Sequence, residues 1–309
     1  MLPPFPKPWS RPRGASAASR VSPASRYGPL ALAVVAVSFG SILVRLADAP
    51  ALTVAFYRMA LAALLVAPLS LGATIHSWPT LTPRSRLQLV ASGLALALHF
   101  ATWIASLSYT TVAASVLLVN TTPLFTLLLS WAFLREPPTW SLSGSLLLAL
   151  AGVVLVASDA PGRGAPDAVR GNLLAIAGAA SFSVHHVIGR ALRAALPLRA
   201  YVFAVWSAAA AFLFVFARAT GSPLLGLAPH TVAALLGLAL VPTLAGHGLA
   251  TRSLRVVSAT VVGLFLLGEP VGASILAYGL FGEVPSARVL AGGALILVSL
   301  GWLSLRRRS

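Results

Sequence analysis

Glu269 is the side chain best placed to do chemistry. It is one of three glutamates in 309 residues, and it sits within a long apolar run, with Gly268 before it and Pro270 after it. A carboxylate inside hydrocarbon is costly and marks a substrate or ion site by default. The plainer explanation is a carboxylate held by interhelical hydrogen bonds at a broken helix. Arg58 is its natural counter-charge, about 10 Å into a separate apolar run, unless its long stem carries the guanidinium out to the interface. Arg45, at the end of the first apolar run, is expected to reach the interface in that way. His99 and His185 could bind solute or relay a proton near neutral pH, although an interior histidine is more often simply hydrogen-bonded. Asn120, Trp103 and Tyr278, with Tyr57 and Trp206, are candidates for a cavity wall. Tryptophan and tyrosine also gather at membrane interfaces, which suits Trp9, Trp140 and Trp302 better.

The chemistry that is missing narrows the class. There is no cysteine, hence no disulfide framework and no thiolate metal site. His185 and His186 are adjacent and diverge by about 100° on a helix. With His99 and His247 they form no metal-ligand spacing, and a His-Glu-x-x-His motif is absent. Neither a metal nor an organic cofactor is expected. No P-loop is present to drive transport with ATP. No Gly-x-Ser-x-Gly elbow is present either. An integral-membrane enzyme or a lipid-handling protein without transport activity is therefore the second reading, behind a secondary transporter.

The elements that must position these residues follow from composition. The chain is 58% hydrophobic and 9% charged, with mean hydropathy +0.90. Soluble domains carry about 25% charged residues. The net charge of +16 does not imply nucleic acid, because the arginines lie between apolar runs and at the termini rather than on one face. Runs of roughly 20 apolar residues, enough for a bilayer core of about 30 Å, occur ten times. They fall at about 28–47, 51–70, 87–107, 111–134, 140–157, 171–190, 200–217, 231–250, 256–282 and 289–305. Residues 1–27, rich in Pro, Ser and Arg, are expected to form a disordered cytoplasmic tail. Ala47-Asp48-Ala49 resembles a signal-peptide cleavage site. Pro50 directly after it and the length of the tail favour an uncleaved first span.

With ten alternating spans and a cytoplasmic N-terminus, sixteen basic residues fall inside, four outside and two within spans. That bias fits the positive-inside rule and places both termini in the cytoplasm of a multi-pass inner-membrane protein.

The chain also repeats itself. A shift of 147 residues lays Leu117 on Leu264, Pro123 on Pro270, Glu136 on Glu283 and Pro138 on Pro285. A shift of 145 lays Arg45 on Arg190. The repeat unit is five spans, about 28–158 and 171–305. An odd number of spans inserts the second copy the other way up, the inverted-repeat architecture of many transporters. Glu136 and Glu283 then lie at span ends on opposite sides, where each is expected to latch helices together.

The pattern Asn120-Thr-Thr-Pro123 … Leu134-Arg-Glu136-Pro137, with its second copy Leu267-Gly-Glu269-Pro270 … Phe281-Gly-Glu283, resembles the drug/metabolite transporter superfamily, EamA type. Phe56-Tyr-Arg58-Met-Ala60 and Gly171-Asn-Leu-Leu-Ala175 are similar as well. The resemblance covers about 28–305. It implies an all-α fold of ten transmembrane helices in two inverted five-helix repeats. It also implies movement of small organic metabolites across the cytoplasmic membrane by alternating access, with export the expected direction. Arg252, in Gly246-His-Gly-Leu-Ala-Thr-Arg252, departs from the pattern. Glu269 makes proton coupling available, and facilitated diffusion is equally consistent. A polar cavity is expected near the midplane, reached by Glu269 and lined in part by His99 and Trp103.

Overall fold

A computed structural model describes residues 23–134, 140–158, 166–192, 196–253, 262, 265–266 and 268–306. The described residues form an all-helical bundle. The helices are α1 (Pro23–Leu46), α2 (Ala51–Ser77), α3 (Pro83–Ser106), α4 (Val112–Val119), α5 (Thr122–Leu134), α6 (Trp140–Ala157), α7 (Ala168–Leu192), α8 (Leu198–Ala219), α9 (Pro229–Leu238), α10 (Gly248–Ser253), α11 (Glu269–Phe281) and α12 (Ala287–Arg306). A π-helical stretch, Ala239–His247, joins α9 to α10. Six helical segments are long and apolar enough to cross a membrane, and shorter apolar helices accompany them.

The two halves start their helices in the same way. Pro50 and Pro197, 147 residues apart, are the N-caps of α2 and α8, with nearly identical backbone angles (φ −53°, ψ 141° and φ −57°, ψ 138°). Proline's fixed φ and missing N–H suit a chain entering a helix. Likewise α3 and α9 each open on a proline, Pro83 and Pro229.

Packing repeats the pattern. α2 lies on α8, and α6 on α12. α3 packs on α7, while their counterparts, the α9–π–α10 rod and α1, pack on each other. α4 and α5 pack on α7, and α11 packs on α1. Exchanging the halves maps this set of contacts onto itself. At the α6–α12 crossing, a Cβ on Gly152 would lie 2.6 Å from the Gly292 carbonyl. The two backbones can approach so closely only because neither residue has a side chain.

Every second connection lies on one face. Arg45, ending α1, pairs with Glu283 beyond α11 and donates to the Thr110 carbonyl before α4 (2.8 Å). The Asp167 amide donates to the Tyr109 carbonyl (3.1 Å). Arg288 donates to Ser158 (3.1 Å), and Thr53 to the Pro223 carbonyl (2.8 Å). The opposite face holds the end of α2, where Thr74 reaches the Ala200 carbonyl at the start of α8 (3.4 Å). This alternation is that of a ten-span chain.

The structure gives Arg45 a partner that the sequence reading did not name, and gives Glu283 the latching contacts expected of it. The Arg45 side chain is mostly buried against the protein, 18% exposed. It forms the ion pair with Glu283, the one ion pair among the described residues. Glu283 also accepts from the Val112 amide (2.9 Å), the first N–H of α4 and one that has no partner within its own helix. The latch expected of Glu283 is thus a carboxylate capping a helix in the other half. Glu136 lies outside the described residues.

Candidate functional site

Spans 4 and 9 are both broken, at positions that the repeat makes equivalent. α4 ends at Val119, and after Asn120 and Thr121 α5 begins at Thr122. In the second half Gly268 is a turn and α11 begins at Glu269. The amide of Thr121 donates to Leu118 (3.1 Å), and that of Gly268 to Phe265 (2.9 Å). Both are i→i−3 bonds, and the shift of 147 carries one onto the other. The tightened turn interrupts the helical ladder, and Pro123 and Pro270, each lacking an N–H, follow the breaks.

Glu269 therefore opens a half-helix, where the helix dipole favours a carboxylate. It is half-buried. The Asn120 side chain lies within hydrogen-bonding reach of it, and Arg58 within electrostatic reach. Asn120 also bonds back to the Val116 carbonyl (2.9 Å). The two breaks and Arg58 thus meet, although Arg58 and Glu269 make no contact ion pair.

Arg58 does not run out to the interface. It is 3% exposed. Its guanidinium lies over Phe100 (4.5 Å) and Trp103 (5.4 Å). Its Nε donates to Thr243 Oγ1 (3.2 Å). Thr243 belongs to the π stretch and itself donates to the Leu238 carbonyl five residues back (2.8 Å). Pro242 inside that stretch supplies the local cause, since it cannot donate a helical hydrogen bond. Sequence reading did not single out Thr243. A proline in the middle of a span was the available signal, because π segments gather at functional sites.

The histidines extend the cluster toward α7. His99 Nδ1 donates to the Gly178 carbonyl (3.0 Å), which leaves its Nε2 as the acceptor nitrogen. Its ring stacks on Phe182 (4.3 Å) and lies parallel to Trp103 (6.0 Å). His185 Nδ1 shares a hydrogen bond with Ser92 Oγ (2.8 Å), which bonds in turn to the Tyr201 hydroxyl (3.0 Å). His186 and His247 have exposed side chains. They lie within electrostatic reach of each other, and His247 of Arg58. No group of three metal-ligating side chains occurs among the described residues.

Arg58, Asn120, Glu269, His99, Trp103 and His185 thus belong to one connected region. Tyr278 does not join them. It is 61% exposed on α11, and its carbonyl accepts the Gly282 amide at the helix end (3.0 Å). Tyr57, next to Arg58 near the start of α2, turns another way and donates to the Leu224 carbonyl (2.5 Å). There it lines an apolar cavity of about 290 Å³ with Leu61, Leu227 and Leu235, to which Glu269 does not contribute.

Comparison with known proteins agrees with this architecture. The model of the EamA-like transporter family matches twice, over residues 27–158 and 169–305. The uncharacterized transporter YwfM of Bacillus subtilis (strain 168) is 29% identical over 193 residues, 60% of this chain. The match spans 62% of that relative's length. One solved crystal structure superposes with a TM-score of 0.62 at 21% identity, covering 93% of this chain and 99% of its own; it speaks for the fold alone. Two family matches, in two halves with the same helix starts, the same packing and the same broken spans, show that the chain belongs to the EamA-like transporter family.

Proposed function

We propose that this transporter is a secondary exporter of small organic metabolites in the cytoplasmic membrane, working by alternating access with both termini in the cytoplasm. One observation carries the reading. Two repeat-related spans break at the same point, and the break in the second bears Glu269 beside Asn120 and within reach of Arg58. Inverted-repeat transporters hold their solutes at such discontinuous helices near the midplane, where half-helix ends and side chains face the cargo. The odd number of spans per repeat supports the alternating mechanism, because one fold inserted both ways up can open to either side. The excess of arginine on the connections opposite Asp48, Thr110 and Glu283 supports the orientation.

Metabolite efflux from cells with and without the chain, followed by flux in proteoliposomes, tests the reading. Solutes that leave faster only with the protein support it. Uptake in their place would reverse the direction while keeping the mechanism. Absence of any protein-dependent flux in both systems refutes it.

A further inference from the structure

We propose that Arg58 and Trp103 form the anion-recognising part of the central site, so that the transported solute carries a carboxylate or a comparable planar oxyanion. The inference rests on the transport reading and gives it a substrate class.

The argument starts from donors that the fold leaves unanswered. Arg58 is 3% exposed and Trp103 4%. Arg58 spends Nε on Thr243, while its Nη1 is buried with no acceptor. Trp103 Nε1 is likewise buried with no acceptor. The two side chains are neighbours, the guanidinium lying over the indole ring. A buried donor left unpaired loses its water without replacement, and a buried cation loses far more. The π faces of Phe100 and Trp103 offset part of that loss, but they offer no lone pair to Nη1. A neutral hydroxyl, Thr243, is the only hydrogen-bond acceptor that the described residues bring to this guanidinium.

Glu269 does not fill the gap. It acts on Arg58 through space, yet the pair forms no contact, and Arg45–Glu283 is the one ion pair among the described residues. The side chain within hydrogen-bonding reach of the carboxylate is instead Asn120, across the two helix breaks. An arginine with planar N–H groups to spare is suited to bind a planar oxyanion with two parallel hydrogen bonds. A neighbouring indole N–H adds a donor only and cannot serve a cation. Every unanswered atom named here is a donor, so the complementary group on the solute is an acceptor, and the positive charge makes it an anion. Glu269 is then a competitor for Arg58 that the solute displaces electrostatically, rather than the solute's own partner.

The test uses the full chain in proteoliposomes loaded with a total water-soluble metabolite extract. Solutes that leave only with the protein are identified by mass spectrometry and sorted by charge. The expected result is that they bear a carboxylate or another oxyanion. R58K keeps the charge and loses the fork, and should cut their flux about ten- to a hundredfold. W103F, which keeps the ring and loses the N–H, should cut it several-fold. E269Q should tighten their binding by removing the competitor. The double variant R58Q/E269Q separates this role from simple neutralisation of Glu269 and should remain inactive. Gel filtration confirms folding, and W103F carries the test if the Arg58 variants do not fold. Protein-dependent flux confined to amines or uncharged solutes overturns the inference and leaves the transport reading standing. Restored flux in the double variant also overturns it, since Arg58 would then serve only to balance Glu269. No protein-dependent flux at all defeats the transport reading, and the inference with it.

Discussion

Glu283→Gln removes a charge from the one ion pair that fastens the two halves together among the described residues. The carboxylate binds Arg45 of α1 and the Val112 amide that opens α4, while Arg45 also holds the Thr110 carbonyl. The side chains are 18% and 7% exposed for Arg45 and Glu283. A fully exposed pair contributes at most about 1 kcal/mol, whereas removing one partner of a buried pair costs about 3–5 kcal/mol. This pair lies between those limits, so E283Q should destabilise by roughly 2–3 kcal/mol. Glu283→Ala also strips the acceptor from the first N–H of α4, adding about 1–2 kcal/mol. In a chain of this size each kcal/mol moves the melting temperature by about 2 °C, so E283Q should melt about 4–6 °C lower in detergent. A double-mutant cycle with Arg45→Gln should give a coupling energy of about 1–2 kcal/mol. Coupling below about 0.5 kcal/mol, with Glu283→Ala no worse than Glu283→Gln, would refute the reasoning and reduce the pair to a surface contact.

Glu269→Gln should insert normally but change flux or its pH dependence; wild-type transport across the pH range would remove Glu269 from the mechanism. Thr243→Val removes the hydroxyl that accepts from Arg58 Nε at nearly constant shape, and should lower transport more than it lowers the melting temperature, by about 1–2 kcal/mol at most. Gly152→Leu forces a side chain against the Gly292 backbone and should destabilise by at least about 1–3 kcal/mol, seen as loss of a monodisperse gel-filtration peak; an unchanged profile would mean that α6 and α12 do not cross there. Reporter fusions should place both termini on the cytoplasmic side, and Asp48 and Glu283 opposite them; termini on different sides would contradict the alternation.

The repeat was legible because a few residues in so apolar a chain are rare enough to register. Glu136 with Glu283 and Pro123 with Pro270 align the halves, and the helix starts at Pro50 and Pro197 keep the same offset. Helix faces were not legible. Many spans are apolar on every side, and lipid-facing and protein-facing positions then share one composition. That is why Tyr278 could be grouped with Asn120 although it lies on an exposed face. Long-range pairings escaped for a related reason. Arg45 and Glu283 are 238 residues apart, and Ser92 and His185 are 93 apart; nothing local in the sequence marks one as the partner of the other.

The broken spans show where local and global information meet. Gly268-Glu269-Pro270 announces a break by itself, through a flexible residue and one that cannot donate. Asn120-Thr121-Thr122-Pro123 is weaker, and only the repeat assigns it the same role. Once both breaks are present, their positions constrain the chemistry. The C-terminal end of α4 exposes carbonyls that Asn120 partly answers by bonding back to Val116. The N-terminal end of α11 exposes amides, and its first residue is the carboxylate itself. The two half-helix ends therefore present opposite partial charges. A single asparagine, which both donates and accepts, can serve one end while reaching the acid at the other. Replacing it with leucine would remove the side-chain amide from between them, while the backbone amide of residue 120 would still bond to the Val116 carbonyl (3.1 Å). The arrangement is polar where the surrounding helices are not, and it is built from both repeats at once. That is the property a site must have if exchanging the conformations of the halves is to move it from one side of the membrane to the other.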